Sequence, residues 1–291
     1  MNQKIIDLYD EFTRGGMSRR NFLDRLAHLA GGAAAAAALV PFLQNNDVLA
    51  QTVAESDSRL AVERVEYEAG GGKIAGYLAR PKGGQKRPAV IVIHENRGLN
   101  PHIQDVARRL AVDGFLALSP DLLSPLGGTP ADADQAAKMI GTLNAGETVA
   151  RLAGTVSYLA RHAESTGKVG VVGFCWGGGM VNRLAAAGTS LNAGVAYYGA
   201  QIPVADVPKI TASLVLHYAS IDERINAGIA DYEAALKANN KTYEKYMYEG
   251  ASHAFNNDTN AARYNKEAAT LAWSRTIAFL KKALAAPTSP R

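Results

Sequence analysis

Three observations predict an α/β fold, a mostly parallel central sheet with helices on both faces. Apolar runs such as Ala89-Val90-Ile91-Val92-Ile93 and Val169-Gly170-Val171-Val172 show no polar alternation, as strands buried on both faces require. These runs alternate along the chain with stretches of helical spacing. Between two of them lies a glycine-rich strand-to-helix turn, Gly173-Phe174-Cys175-Trp176-Gly177-Gly178-Gly179. The chain has 291 residues, 47% of them hydrophobic and 20% charged, which suits one large core better than two domains.

The elements follow in order from Arg59. Val62, Val65 and Tyr67 alternate with Glu63, Glu66 and Glu68, Gly70-Gly71-Gly72 interrupts, and Ile74 to Leu78 resumes, which reads as an antiparallel hairpin. A polar loop from Pro81 to Pro88 leads to a buried strand over Ala89 to His94. Helical spacing covers Ile103 to Val112, with Gly114 as its C-terminal stop. Phe115 to Leu118 is the next strand, and Leu122 to Pro130 is a Gly/Pro-rich loop long enough to shape a substrate entrance. Helices are expected over Ala131–Leu143 and Glu147–His162, then the strand and helix around Cys175. Strands follow at Leu191–Tyr198, Leu214–Tyr218 and Tyr243–Tyr248. Helices are expected over Glu223–Ala238 and Asn260–Leu284, with a frayed tail from Pro287.

The first fifty residues have a different character. Ser18-Arg19-Arg20-Asn21-Phe22-Leu23 resembles a twin-arginine export signature. An Ala-rich apolar run from Leu29 to Leu43 follows, and Val48-Leu49-Ala50 offers a cleavage site before Gln51. The run contains Pro41 and is too short and too weakly apolar for a stable transmembrane helix. The expectation is a signal segment over 1–50, a single domain over 51–291, and periplasmic delivery by the twin-arginine export machinery. The alternative is a cytoplasmic protein whose N-terminal helix, with Ile5, Ile6, Leu8, Tyr9 and Phe12, stays on the body. Net charge is +4 with no block of like charges, which argues against a nucleic-acid partner. A single cysteine excludes an internal disulfide and a cysteine-based zinc site, and no histidine pair has a metal-ligand spacing.

That single cysteine occupies the nucleophile position of a Gly-x-Ser-x-Gly elbow, with sulfur in place of oxygen. A sharp turn of this kind needs small flanking residues, because a Cβ at Gly173 or Gly177 would crowd it. The helix that follows aims unpaired N–H groups and its positive dipole end at the sulfur. In open parallel sheets, ligands bind at the C-terminal strand ends. Those ends carry His94-Glu95-Asn96-Arg97-Gly98-Leu99, Cys175, Ala219-Ser220-Ile221-Asp222 and Ser252-His253-Ala254-Phe255. Taken singly, Asp222 is a helix cap, His253 a loop histidine and Glu95 a solvated acid. Together they stand in the order nucleophile, Asp, His, the order of an α/β-hydrolase triad. His94, at a strand end, and His217, within a strand, read as structural.

From about Arg59 to Leu284 the chain resembles the dienelactone hydrolase (carboxymethylenebutenolidase) family. The resemblance rests on His94-Glu95-x-x-Gly98-Leu99, Pro120-Asp121-Leu122, Gly173-Phe174-Cys175-Trp176-Gly177-Gly178, Tyr198-Gly199, Asp222 and His253-Ala254-Phe255. It implies an α/β-hydrolase fold, no cofactor, a Cys175-His253-Asp222 triad acting on a small-molecule ester or lactone, and Glu95 as the acceptor of the thiol proton. By the same resemblance the backbone N–H groups of Trp176 and Asn96 form the oxyanion hole, and Arg97, Tyr198 and Phe255 are candidate substrate contacts. Family members hold a substrate carboxylate with two arginines, one shortly after the catalytic His. Here Asn257 stands four residues past His253, and no arginine occurs between Arg109 and Arg151. The same residues also suit a Cys-dependent peptidase or acyltransferase, or a non-catalytic binding or redox-sensing module.

Overall fold

The structure, a computed structural model, describes residues 2–13, 15–43 and 52–285. The expected cleavage site at Val48-Leu49-Ala50 and the expected tail from Pro287 lie outside the described residues. Three N-terminal helices, α1 (Gln3–Thr13), α2 (Arg19–Ala30) and α3 (Ala33–Leu43), precede the sheet. The remainder runs β1 (Leu60–Ala69), β2 (Gly72–Pro81), β3 (Arg87–Ile93), α4 (Pro101–Val112), β4 (Leu116–Pro120), α5 (Ala133–Gly141) and α6 (Ala145–Arg161). It continues through β5 (Ser165–Phe174), α7 (Trp176–Ala185), β6 (Ala193–Tyr197), β7 (Ser213–Ile221), α8 (Glu223–Asn226), α9 (Ile229–Ala238), β8 (Tyr243–Ser252) and α10 (Lys266–Ala283).

All eight strands form one sheet in the order β1-β2-β4-β3-β5-β6-β7-β8. The β1–β2 and β2–β4 pairs are antiparallel, and every pair from β4–β3 to β7–β8 is parallel. Gly70 and Gly71, both at positive φ, make the expected hairpin turn. Successive residues of β3 serve opposite faces. Ala89, Ile91 and Ile93 pack with Leu152, Val156, Val181 and Leu236 beneath α6, α7 and α9. Val90 and Val92 pack with Val106, Leu110, Ala272 and Leu280 beneath α4 and α10. Two apolar layers of this kind explain the continuous hydrophobic run.

Several boundaries differ from the sequence expectation. The helix expected over Glu223–Ala238 is two helices, because Asn226 turns its amide back to the carbonyls of Ala219 and Ser220 and α9 restarts after Gly228. The terminal helix starts at Lys266, not Asn260, since Asn265 caps it by accepting the N–H of Ala268. Residues 260–264 instead form a turn closed by the N–H groups of Arg263 and Tyr264 on the Asn260 carbonyl. Asp132 and Asn144 likewise cap α5 and α6 close to their expected starts.

The N-terminal helices have an apolar cluster of their own, built on Ile5, Leu8, Tyr9, Phe22, Leu26, Ala36 and Leu43. Ser18 caps α2, leaving Arg19 and Arg20 exposed. Among the described residues no single helix is long and apolar enough to cross a membrane, and α2 and α3 meet at 110°. The body begins firmly at Thr52 and Val53, whose N–H groups are accepted by the buried carboxylate of Asp105 while Arg108 donates to the Val53 carbonyl.

Candidate active site

Four strand ends converge. Cys175 follows β5 with φ 54° and ψ −114°, a conformation that non-glycine residues rarely hold. The turn is pinned by the Cys175 N–H on the Tyr197 carbonyl of β6 at 3.0 Å. Glycine is required on both sides. A Cβ at Gly173 would lie 2.3 Å from the Gly177 carbonyl oxygen, and one at Gly177 would lie 2.5 Å from that of His94. At such distances backbone would have to move, so these glycines let α7 close onto β5 and β3.

The Cys175 Sγ lies 3.0 Å from His253 Nε2, and His253 Nδ1 lies 2.5 Å from Asp222 Oδ2. Asp222 also caps α8, its other oxygen facing the Ile225 N–H at 3.5 Å, so cap and imidazole anchor are one carboxylate. Burial works against charge on His253. The negative sulfur of Cys175 and the carboxylate of Asp222 overcome it and raise the pKa of the ring to about 10. Burial similarly pushes the Asp222 pKa up, but the His253 contact wins and the net shift is downward. Charge on the His253 ring is therefore favoured despite its burial.

Glu95 is buried and held by two donors. The Asn257 amide reaches Oε2 at 2.7 Å, and the Tyr198 hydroxyl faces Oε1 at 3.4 Å. Burial first, and the nearby Glu95 charge second, hold the Tyr198 pKa well above the ordinary phenol value, so its proton stays available to Glu95. Thr259 fixes the Asn257 amide by donating to its Oδ1 through both N–H and hydroxyl. Trp176 opens α7, so its N–H is one of those that helix geometry leaves without an intrahelical acceptor. Its indole stacks at 5.3 Å on the buried His94 ring, which contacts the Glu95 carbonyl through Nδ1.

The cysteine borders two spaces. One is a small polar cavity of about 30 Å³ between Glu95, Arg97, His253 and Asn257 on one side and Tyr9, Asp10 and Thr13 of α1 on the other. The second is a wider groove of about 400 Å³ whose lining includes Asn96, Trp176, Ile140, Met180, Arg183 and Arg224.

Comparison with known proteins agrees with this geometry. The Dienelactone hydrolase family model matches residues 74–284. This chain belongs to the dienelactone hydrolase family. A protein named as a carboxymethylenebutenolidase from Saccharolobus solfataricus is 31% identical over 256 residues, covering 76% of this chain and 98% of the relative. One named as a 2-oxo-3-(5-oxofuran-2-ylidene)propanoate lactonase from Bradyrhizobium is 32% identical over 238 residues, covering 76% and 94%. Among solved structures, one named as a dienelactone hydrolase from Klebsiella pneumoniae superposes with a TM-score of 0.71 at 30% identity, covering 77% of this chain and 99% of that one. The sheet and its helices are thus an α/β-hydrolase fold, and the protein is a hydrolase of the carboxylic ester and lactone class.

Within this dienelactone hydrolase frame, Cys175, His253, Glu95, Asn96, Trp176 and Arg97 line one or both spaces, and Asp222 reaches the site through its contact with the His253 ring. Two expected substrate contacts are corrected. Phe255 is 0% exposed and packs against Tyr197, Tyr198 and Tyr248, while Tyr198 is 1% exposed with its ring 5.0 Å from that of His253. Tyr198 thus packs against the imidazole, and Phe255 packs against Tyr198. Arg97 is also buried, and its guanidinium donates to the Tyr9 hydroxyl at 2.6 Å. Sequence reasoning missed Arg263, ten residues past His253, and it missed the contribution of α1. Neither carries a local motif.

Proposed function

We propose that the protein cleaves a small carboxylic ester or lactone through a thioester on Cys175. The sulfur anion attacks the carbonyl carbon, and the N–H groups of Trp176 and Asn96 receive the developing oxyanion. Collapse expels the alkoxide, which takes the proton from His253 Nε2. The neutral imidazole then removes a proton from water, which attacks the thioester. Departure of sulfur restores the anion and the imidazolium. Asp222 keeps the ring in the orientation that points Nε2 at the sulfur. Glu95, beside the same cavity, serves as the acceptor for the thiol proton whenever the sulfur is neutral. The observation that carries this reading is the unbroken series from Sγ to Nε2 at 3.0 Å and from Nδ1 to Asp222 at 2.5 Å.

The wider groove, with Ile140 and Met180 among its walls, suits an uncharged portion of the substrate. The lactonase name of the Bradyrhizobium relative supports a lactone among the candidates. Hydrolysis of p-nitrophenyl acetate, p-nitrophenyl butyrate, a neutral lactone and an anionic dienelactone by wild type and Cys175→Ala tests the reading. Turnover is expected to fall by at least about 10³-fold in the variant, and turnover retained in Cys175→Ala would refute it. We also propose twin-arginine export, supported by the exposed Arg19-Arg20 pair at the head of α2. Immunoblots of periplasmic and cytoplasmic fractions test it, and full-length protein confined to the cytosol would exclude it.

A further inference from the structure

The polar cavity beside Cys175 has room for about one water, far too little for a substrate acid group. What fills the rest of that side is α1. The Asp10 carboxylate pairs with the Arg263 guanidinium, and the two side chains are only 11% and 9% exposed. The Tyr9 hydroxyl accepts from Arg97, and the Tyr9 ring lies 5.8 Å from the Arg97 guanidinium carbon and 5.3 Å from that of Arg263. The Thr13 carbonyl accepts from the Asn96 side-chain amide at 3.2 Å. One face of a single helix thus supplies a carboxylate, a phenol and a carbonyl to three side chains of the cleft.

We propose that α1 is a built-in ligand of this cleft, in which Asp10 occupies on Arg263 the position of a substrate carboxylate, so that the full chain is latent toward anionic substrates. The proposal rests on the reading of Cys175 as nucleophile and names the substrate class for it. A guanidinium with so little exposure needs an anion, because a buried charge left unpaired is strongly unfavourable. In the capped chain that anion is Asp10, and a substrate carboxylate can take the same place on Arg263 once α1 leaves. Tethering gives Asp10 an effective concentration in the millimolar range, above that of ordinary substrates.

The cap is built to leave as a unit. Among the described residues its apolar cluster draws only on Ala262 from the body, and its ties to the body include polar ones such as that of the Asn260 amide to the Leu43 carbonyl. Scission ahead of Thr52 leaves the body anchored through Asp105 and Arg108.

The test uses the full chain with a specific protease sequence introduced within residues 44–51. Cys175 alkylation by anionic iodoacetate and neutral iodoacetamide is followed by mass spectrometry before cutting, and after cutting and dilution. Hydrolysis of a neutral p-nitrophenyl ester and of one bearing a carboxylate is followed in parallel. Cutting is expected to speed iodoacetate at least about tenfold, and iodoacetamide clearly less. Arg263→Gln in the cut protein should abolish that preference. Asp10→Asn in the uncut chain, with unchanged melting, should partly reproduce the effect of cutting. Unchanged iodoacetate rates after cutting, or equal acceleration of both reagents, would overturn the proposal. Faster alkylation without ester turnover would uphold the cap while removing the hydrolytic reading.

Discussion

At Cys175 two demands meet, a strained backbone at φ 54° and a sulfur 3.0 Å from an imidazole that burial alone would keep neutral. The raised His253 pKa makes this pairing testable. The ring stays charged up to about pH 10 because the sulfur anion and Asp222 outweigh burial. Its folded pKa lies above the ordinary 6.5, so its contribution to stability is complete below about 6.5 and is lost as the pH rises through about 10. Activity that depends on proton donation from His253 should fall over the same upper limit. Cys175→Ala removes the largest of the raising influences while burial remains, so the His253 titration should move down toward or below the ordinary value. NMR titration of the His253 ring in wild type and Cys175→Ala checks this, and an unmoved midpoint would contradict the ion-pair account. Glu95 shows a different residue-scale solution. Asn257, standing where an arginine was expected, supplies an amide that holds that carboxylate.

Among the elements, the elbow between β5 and α7 sets the geometry of the site. Its glycines were legible because their requirement is steric and local. The same holds for the strands, whose apolar runs follow from burial on both faces. Gly177→Ala places a Cβ 2.5 and 2.6 Å from the carbonyl oxygens of His94 and Ile93. It should cost about 1–3 kcal/mol or more and reduce turnover, because relief moves the turn that holds Cys175. Gly179→Ala is the contrast. Its Cβ would sit 3.6 Å from the nearest atom, Ala200 N, so it should be neutral or stabilising by up to about 1 kcal/mol. Denaturant melts of both variants check the pair, and equal losses would contradict the close-approach argument. The break between α8 and α9 and the late start of α10 were not legible. Each depends on where an asparagine side chain finds its acceptor or donor, which apolar periodicity does not record.

For the whole molecule, the order of Cys175, Asp222 and His253 along the chain was readable because each follows a strand of the sheet's parallel part. The partnership of Asp10 with Arg263 was not, since contacts between the two ends of a chain leave no spacing in either segment. The same limit hid the burial of Arg97 under Tyr9. The folded molecule brings an elbow, an imidazole, a held carboxylate and the α1 helix to one cavity beside Cys175. The most direct measurement is the intact mass of the protein after rapid quenching with an activated acetyl ester, followed by peptide mapping. The account predicts one added acetyl group, carried as a thioester on Cys175 and absent in Cys175→Ala. Turnover with no adduct on Cys175, or an adduct that persists in Cys175→Ala, would contradict it.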